Sequence, residues 1–234
     1  MGQAQGVTRA APGSEHDPHG KGVRAILNRF GKALITSAAT AAVIGMAAAP
    51  AFATAATWTV KPGGATTGTA GKTVITDKTA GQSVTCTSSV AKGTLKHGSG
   101  LAGAGLGTIT SLAFKGCSIL GQTVAVTITG KMPLNGISYN ATTKTASMTL
   151  TKIHGSFTVS SLSCSATIDG TSATANNGMV KATFSNGTDT LKVLASGNLH
   201  IYNPSTGCPV ITNGDAANFT GSYKLTPKQT ITSP

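Results

Sequence analysis

The feature that most constrains this chain is a period of two. Val124, Val126 and Ile128 interleave with Thr123, Thr127 and Thr129, and Met148 and Leu150 with Thr149 and Thr151. The same spacing recurs at Phe157 and Val159. Alternation of this kind buries one face of an extended strand and wets the other, whereas a helix needs apolar residues three and four apart. Further runs that read as strands are 73–76, 108–114, 179–184, 190–194, 199–202 and 219–225. Between the runs stand Asn135-Gly136, Asp169-Gly170, Asn177-Gly178, Asn186-Gly187 and Asn213-Gly214, dipeptides that accept positive φ in tight turns. No helical period is sustained after residue 53. A dozen or more short strands so spaced predict an all-β fold, either an antiparallel β-sandwich or a curled barrel.

The first fifty-odd residues are different in kind. Residues 1–32 are polar, with Pro12, Pro18 and basic Arg9, Lys21, Arg24, Arg29 and Lys32; an alanine-rich run covers 33–49, and Pro50 precedes Ala51-Phe52-Ala53. Basic region, apolar stretch and small-x-small site are the parts of a secretory signal peptide. Residues 1–53 are therefore expected to be a leader with a long polar n-region, cleaved after Ala53, with Ala55 and Ala56 as neighbouring sites. Val23 offers a compact alternative start. The competing reading of 33–49 is a membrane anchor, but alanine contributes little to insertion, so no stable membrane insertion is expected after cleavage.

The expected mature chain, 54–234, is roughly one-fifth threonine, a bias toward strands. It has no arginine and no glutamate, and thirteen lysines stand against four aspartates, a net charge of +9. The lysines are single, never adjacent, as on a solvated surface that keeps sheet edges from pairing. Such a surface attracts anionic envelope polymers or lipid headgroups. Nucleic acid is not an expected partner, because guanidinium forks and stacking aromatics are missing; Trp58 and Tyr139 are isolated and read as core or strand-end residues.

Residues 116–130 align without gaps to 207–221 with five identities, and Ser83–Cys86 resembles Ser161–Cys164. This echo suggests two related β modules, about 57–160 and 161–234. Four cysteines in an exported chain suggest two disulfides with three possible connectivities. If each module closes its own loop, the pairs are Cys86–Cys117 and Cys164–Cys208. The scattered cysteines include no C-x-x-C, so no zinc or other metal site is expected.

Several segments resemble a family of uncharacterised, secreted, β-rich proteins common in actinobacteria: Cys86-Thr87-Ser88-Ser89, 107–112, 191–194 with Asn198-Leu199-His200, and the tail from Gly214-Asp215 through Gln229-Thr230-Ile231. The resemblance runs from Cys86 to the end. It implies export and a cysteine-stapled β fold, and it implies no activity.

The chemical inventory is thin. Asp169 and Asp215 sit beside turn glycines, and Asp77 and Asp189 stand at strand ends, positions where aspartate bonds its own backbone. His97 and His154 read as turn residues and His200 as a surface strand residue. No Gly-x-Ser-x-Gly elbow is present. Residues 98–103 match G-x-G-x-x-G but lack the following helix a dinucleotide site needs, and read as a glycine-rich hairpin tip. No catalytic, cofactor-binding or metal residue is assigned. The expectation is a non-catalytic protein, secreted or wall-associated, that acts through its surface. A carrier of a hydrophobic small molecule is the alternative, requiring a cavity lined by residues such as Val124, Val126, Ile128, Met148, Leu150 and Phe157. A hydrolase would require an Asp and a His, or two Asp, within hydrogen-bond reach.

Overall fold

The computed structural model describes residues 56–234; the leader and its Ala53 cleavage site lie outside the described residues. Fifteen strands follow in chain order: β1 (Thr57–Lys61), β2 (Gly64–Ala70), β3 (Thr73–Asp77), β4 (Ser83–Leu95), β5 (Gly98–Ala102), β6 (Gly107–Ile119), β7 (Gln122–Thr129), β8 (Met132–Asn140), β9 (Thr145–Val159), β10 (Cys164–Asp169), β11 (Gly178–Ser185), β12 (Thr190–Gly197), β13 (His200–Tyr202), β14 (Asp215–Thr226) and β15 (Thr230–Thr232). One 3₁₀ turn, Ser160–Leu162, links β9 to β10. All strand pairs are antiparallel, so the all-β expectation holds, and the sheet takes the barrel form.

The pairings close two rings that share four long strands. In the first ring β2, β4, β6, β8, β9, β11, β12 and β14 pair in that order, and β14 returns to β2. In the second the order is β3, β4, β6, β7, β9, β10, β13 and β14, and β14 returns to β3. The two rings are thus the two ends of one eight-stranded barrel. β4, β6, β9 and β14 run through both rings while short strands take turns in the gaps between them. Eight strands leave an interior that side chains can fill.

Where the rings join, β4, β6 and β9 change which parity faces inward, while β14 keeps its odd-numbered residues inside throughout. In β9 the buried residues are Ala146, Met148 and Leu150, then Ile153, Phe157 and Val159, and the extra residue falls at Lys152, whose φ is 59°. β4 and β6 shift together: Thr87 Oγ1 donates to Lys115 O at 3.0 Å beside Gly116, whose φ is 57°. The extra residue in β9 is a bulge of the kind that bends a strand and re-aims its side chains, whereas Thr87 and Gly116 stand opposite each other without a register shift.

A separate three-stranded sheet, β15-β1-β5, packs on the first ring. Trp58, Val60 and Ile231 are buried beneath it, and Asn186 in the β11–β12 turn exchanges two hydrogen bonds of 2.8 Å with the Ile231 backbone. Residues 98–102 do lie at a hairpin tip, in the connection between the paired ends of β4 and β6 where Leu95 stands opposite Gly107, but there they form strand β5 against β1. One sequence expectation is corrected here. Asn135-Gly136 lies inside β8 and not in a turn: Gly136 is the position where the Trp58 ring touches the backbone, and an ideal Cβ there would sit 2.6 Å from Trp58 Cε2. Of the five turn dipeptides only Asn213-Gly214 uses a glycine with positive φ, at 90°.

The segments 57–160 and 161–234 each contribute one unbroken arc to both rings, five strands from the first and three from the second. Within the aligned segments Cys117 lies in strand β6 and Cys208 in the loop between β13 and β14.

Candidate functional site

The four aspartates among the described residues, Asp77, Asp169, Asp189 and Asp215, are buried, at most 7% exposed. The thirteen lysines among the described residues are all exposed. Each carboxylate has work inside the fold. Asp169, at the end of β10, accepts from the backbone N–H groups of Gly170 at 2.6 Å, Asn176 at 2.9 Å, Asn177 at 3.1 Å and Gly178 at 3.3 Å. His154 Nδ1 donates to its Oδ2 at 2.8 Å. Burial alone would raise this carboxyl; the bonds from Gly170, His154, Asn176 and Asn177 outweigh it and hold Asp169 below the usual carboxylate range. The turn reading of Asp169 holds, but His154 is a strand residue and not a turn residue, because the bulge at Lys152 lets β9 continue past it. His200, paired with Asp169 across β10–β13, contacts the Gly170 carbonyl from Nδ1 at 2.9 Å, and Tyr202 Oη donates to the same oxygen at 2.9 Å. The 170–177 connection is therefore anchored from three strands.

An Asp and a His do meet, as a hydrolytic site requires, and the partly exposed His154 ring is the kind that serves a general base. Among the described residues no serine, threonine or cysteine side chain is hydrogen-bonded to its Nε2, and the Asp169 contacts account for the pair as a loop anchor.

Asp77 and Asp215 form a second juxtaposition. Asp77 Oδ1 accepts from Thr79 and Ala80 N–H at 2.8 and 2.9 Å, and Asp215 Oδ2 from Thr212 N–H at 2.7 Å. Asp77 Oδ2 is buried with no donor. Burial, against the two backbone bonds and reinforced by the neighbouring Asp215, raises the Asp77 carboxyl above its ordinary value. Asp189 lies 3.8 Å from Lys224 Nζ. No group of three or more His, Cys, Asp or Glu side chains is gathered for a metal among the described residues.

The cysteines pair as the module logic favours, Cys86–Cys117 across β4–β6 and Cys164–Cys208 from β10 to the 203–214 loop. Both lie in the second ring. Disulfides form and persist in oxidising compartments, and the described residues include no helix long and apolar enough to cross a membrane.

The interior is nearly full. Two apolar voids of about 20 and 30 Å³ share Leu112, Leu150 and Phe219 as lining, room for one or two waters each. Ile128 and Leu150 line the first, and Phe157 lines a third void of about 20 Å³ beside Asp77, whereas Val124, Val126 and Met148 line none of the three. These volumes are far below the several hundred Å³ of a small-molecule pocket.

The roomy concavity is outside. A groove of about 540 Å³ runs across β3, β14 and β12, edged by Lys72 and Lys192 with Thr220 and Ser222 on its floor. It exists because β12 stays paired to β14 only as far as Val193, opposite Gly221, and Leu194 and Ala195 then leave β14, which goes on to pair with β13. Sequence reasoning missed it. Lys72 and Lys192 are 120 positions apart, and only the closure of β14 onto β3 brings them to one cleft.

Fold and surface together define a disulfide-braced antiparallel β-barrel with its cations outside and its carboxylates inside. Comparison with protein-family models, curated proteins and solved structures finds no match for the chain.

Proposed function

We propose that this chain is an exported, non-catalytic β protein that acts through its surface, at the cell envelope or outside the cell, by holding anionic polymer on its lysine-lined exterior. The observation that carries the reading is the segregation of charge: thirteen exposed lysines and four buried aspartates. A polyanion approaching the described residues meets no exposed aspartate or glutamate. The attraction is long-ranged, sequence-independent and screened by salt. The groove between Lys72 and Lys192 adds a place where two ammonium groups and two hydroxyls face one ligand segment. The disulfides fit an exported protein, as do the expected leader 1–53 and the resemblance to secreted actinobacterial β proteins.

The test is binding of the purified protein to an anionic cell-wall polymer, with an uncharged polysaccharide as control, over a range of salt. Binding to the anionic polymer only, weakening as salt rises, is the expected result. Exposed charges contribute at most about 1 kcal/mol each, so Lys72→Gln with Lys192→Gln should weaken it by about five- to tenfold. Equal binding to the uncharged polymer, or binding indifferent to salt, would overturn the reading. Sequencing the N-terminus of protein recovered from culture medium tests export, with residue 54 expected first.

A further inference from the structure

The second ring ends in four hairpin connections on one side of the barrel: residues 77–83, 119–122, 159–164 and 202–215, joining β3 to β4, β6 to β7, β9 to β10 and β13 to β14. Three of them present a large apolar side chain to solvent: Leu120 at 75% exposure, Leu162 at 44% and Val210 at 48%. Of the exposed large hydrophobic residues described, only Ile137 lies elsewhere. The fourth connection carries exposed Lys78. Beneath the tips the apolar surface continues through half-buried Ile119 and Ile211 into the core.

Two features mark these tips as built. First, they are fastened to one another. Ser161 Oγ donates to Gln122 Oε1 at 2.7 Å, the Cys164–Cys208 disulfide ties β10 to the longest loop, and Gly207 packs directly on the Leu162 carbonyl. Second, Leu120 sits where its own backbone disfavours it. Ile119 pairs with Gln122, so Leu120 and Gly121 form a two-residue hairpin turn, and their φ values are 48° and 78°. That turn favours Asn-Gly. A bulky side chain at positive φ is strained, and strain of this kind gathers at functional sites. An exposed leucine there contributes little to the core, so its use lies outside the fold.

We infer that this end of the barrel docks on a lipid bilayer bearing anionic headgroups, with Leu120, Leu162 and Val210 entering the headgroup–acyl boundary. The tips are separate protruding points and not a flat face, and a deformable bilayer takes up such points individually. The exposed charge at this end is complementary: Lys78 is exposed beside the tips, while the two carboxylates of these connections, Asp77 and Asp215, are buried. Shallow apolar insertion and basic attraction are the paired weak signals from which reversible membrane binding is made. The inference is independent of the polymer groove, which lies on the barrel wall.

The decisive variant is Leu120→Asn, which gives the turn its favoured residue and so preserves or improves folding. Binding of the purified protein to vesicles of phosphatidylcholine alone, and of phosphatidylcholine with phosphatidylglycerol, is measured by flotation at low and high salt. The wild type should bind the anionic vesicles and release them as salt rises. Leu120→Asn should weaken binding by about tenfold, the amount that removing one buried leucine from the boundary implies, with thermal stability unchanged or raised. Leu162→Ser with Val210→Ser should deepen the loss. The Lys72→Gln, Lys192→Gln protein should bind vesicles as the wild type does while binding polymer about five- to tenfold more weakly, so the two sites fail separately. Wild-type protein that ignores anionic vesicles, or Leu120→Asn protein that binds them undiminished, would overturn the inference. So would self-association that Leu120→Asn abolishes without vesicles present, which would assign the tips to a second copy of the chain.

Discussion

Asp169 and Asp77 are both buried carboxyls near one barrel, and they respond to acid in opposite directions. Asp169 is held below the usual carboxylate range, so it stabilises the fold fully above the ordinary aspartate value, near pH 4, and that contribution fades as pH falls through its lowered one. Asp77 is raised, so ionising it costs stability as pH climbs from the ordinary value to the raised one. Asp169→Asn puts an amide N–H₂ against backbone donors and His154. It should cost about 2–4 kcal/mol at pH 7, by analogy with other buried, charge-assisted hydrogen bonds, and the deficit should shrink below about pH 4. Asp77→Asn keeps an oxygen for Thr79 and Ala80 and turns a donor toward Asp215. Its melting temperature should be higher than wild type by a few degrees at pH 7, with the gain vanishing in acid. Thermal melts of both variants from pH 3 to 8 check the pair; parallel curves would show that the carboxyls are not perturbed as described. Tyr223 is a third perturbed group, its hydroxyl pushed up to about 12 by burial against the bond from Ser89, and it stays neutral throughout that range.

At the scale of elements, Gly136 is the test of how the small sheet meets the barrel. Its absent side chain is the space that the Trp58 indole occupies, with Leu106 Cδ1 only 2.7 Å from an ideal Cβ. Gly136→Ala should therefore destabilise by about 1–3 kcal/mol through overpacking, read from denaturant unfolding and from a shift in Trp58 fluorescence. An unaltered midpoint would mean the ring can move aside freely. The same contact explains what sequence reading could and could not see. β3, β7, β9, β11, β12 and β14 were legible because their inward residues are large and apolar and alternate with threonine. β2 and β4 were not, because their inward positions include Gly68, Ala70, Ser89, Ala91 and Gly93. A narrow barrel fills from one side: an ideal Cβ on Gly68 would sit 3.1 Å from Leu225 Cδ2 and 3.2 Å from Tyr223 Cβ, and Ser89 bonds the Tyr223 hydroxyl at 2.9 Å. Small residues opposite large ones carry no hydrophobic period. The disulfide pairs were legible from the echo of Ser83–Cys86 in Ser161–Cys164. The groove was not, since no local pattern reports which lysines share a cleft.

For the whole molecule the two rings cannot be separated, and this bears on the internal echo. Residues 57–160 supply β4, β6 and β9, and residues 161–234 supply β14, the fourth strand that both rings need. Removing residues 161–234 leaves both rings open with β2, β3 and β9 offering unpaired edges to other chains, and removing 57–160 does the same to β10, β11 and β14. The barrel is therefore expected to unfold as one cooperative unit, with the two disulfides confined to the second ring changing its stability but not splitting the transition. Calorimetry of the intact protein should give one peak whose calorimetric and van't Hoff enthalpies agree. A fragment of residues 57–160 should show no cooperative unfolding and should aggregate, despite retaining the Cys86–Cys117 pair. Two resolved transitions, or a folded fragment, would mean that each half holds its own core and that the shared strands couple them only weakly. The physical ground for expecting one transition is the length of the shared strands. β4, β6, β9 and β14 are 13, 13, 15 and 12 residues long, about twice a typical strand, and none can lose its pairing in one ring without exposing the hydrogen bonds that continue into the other.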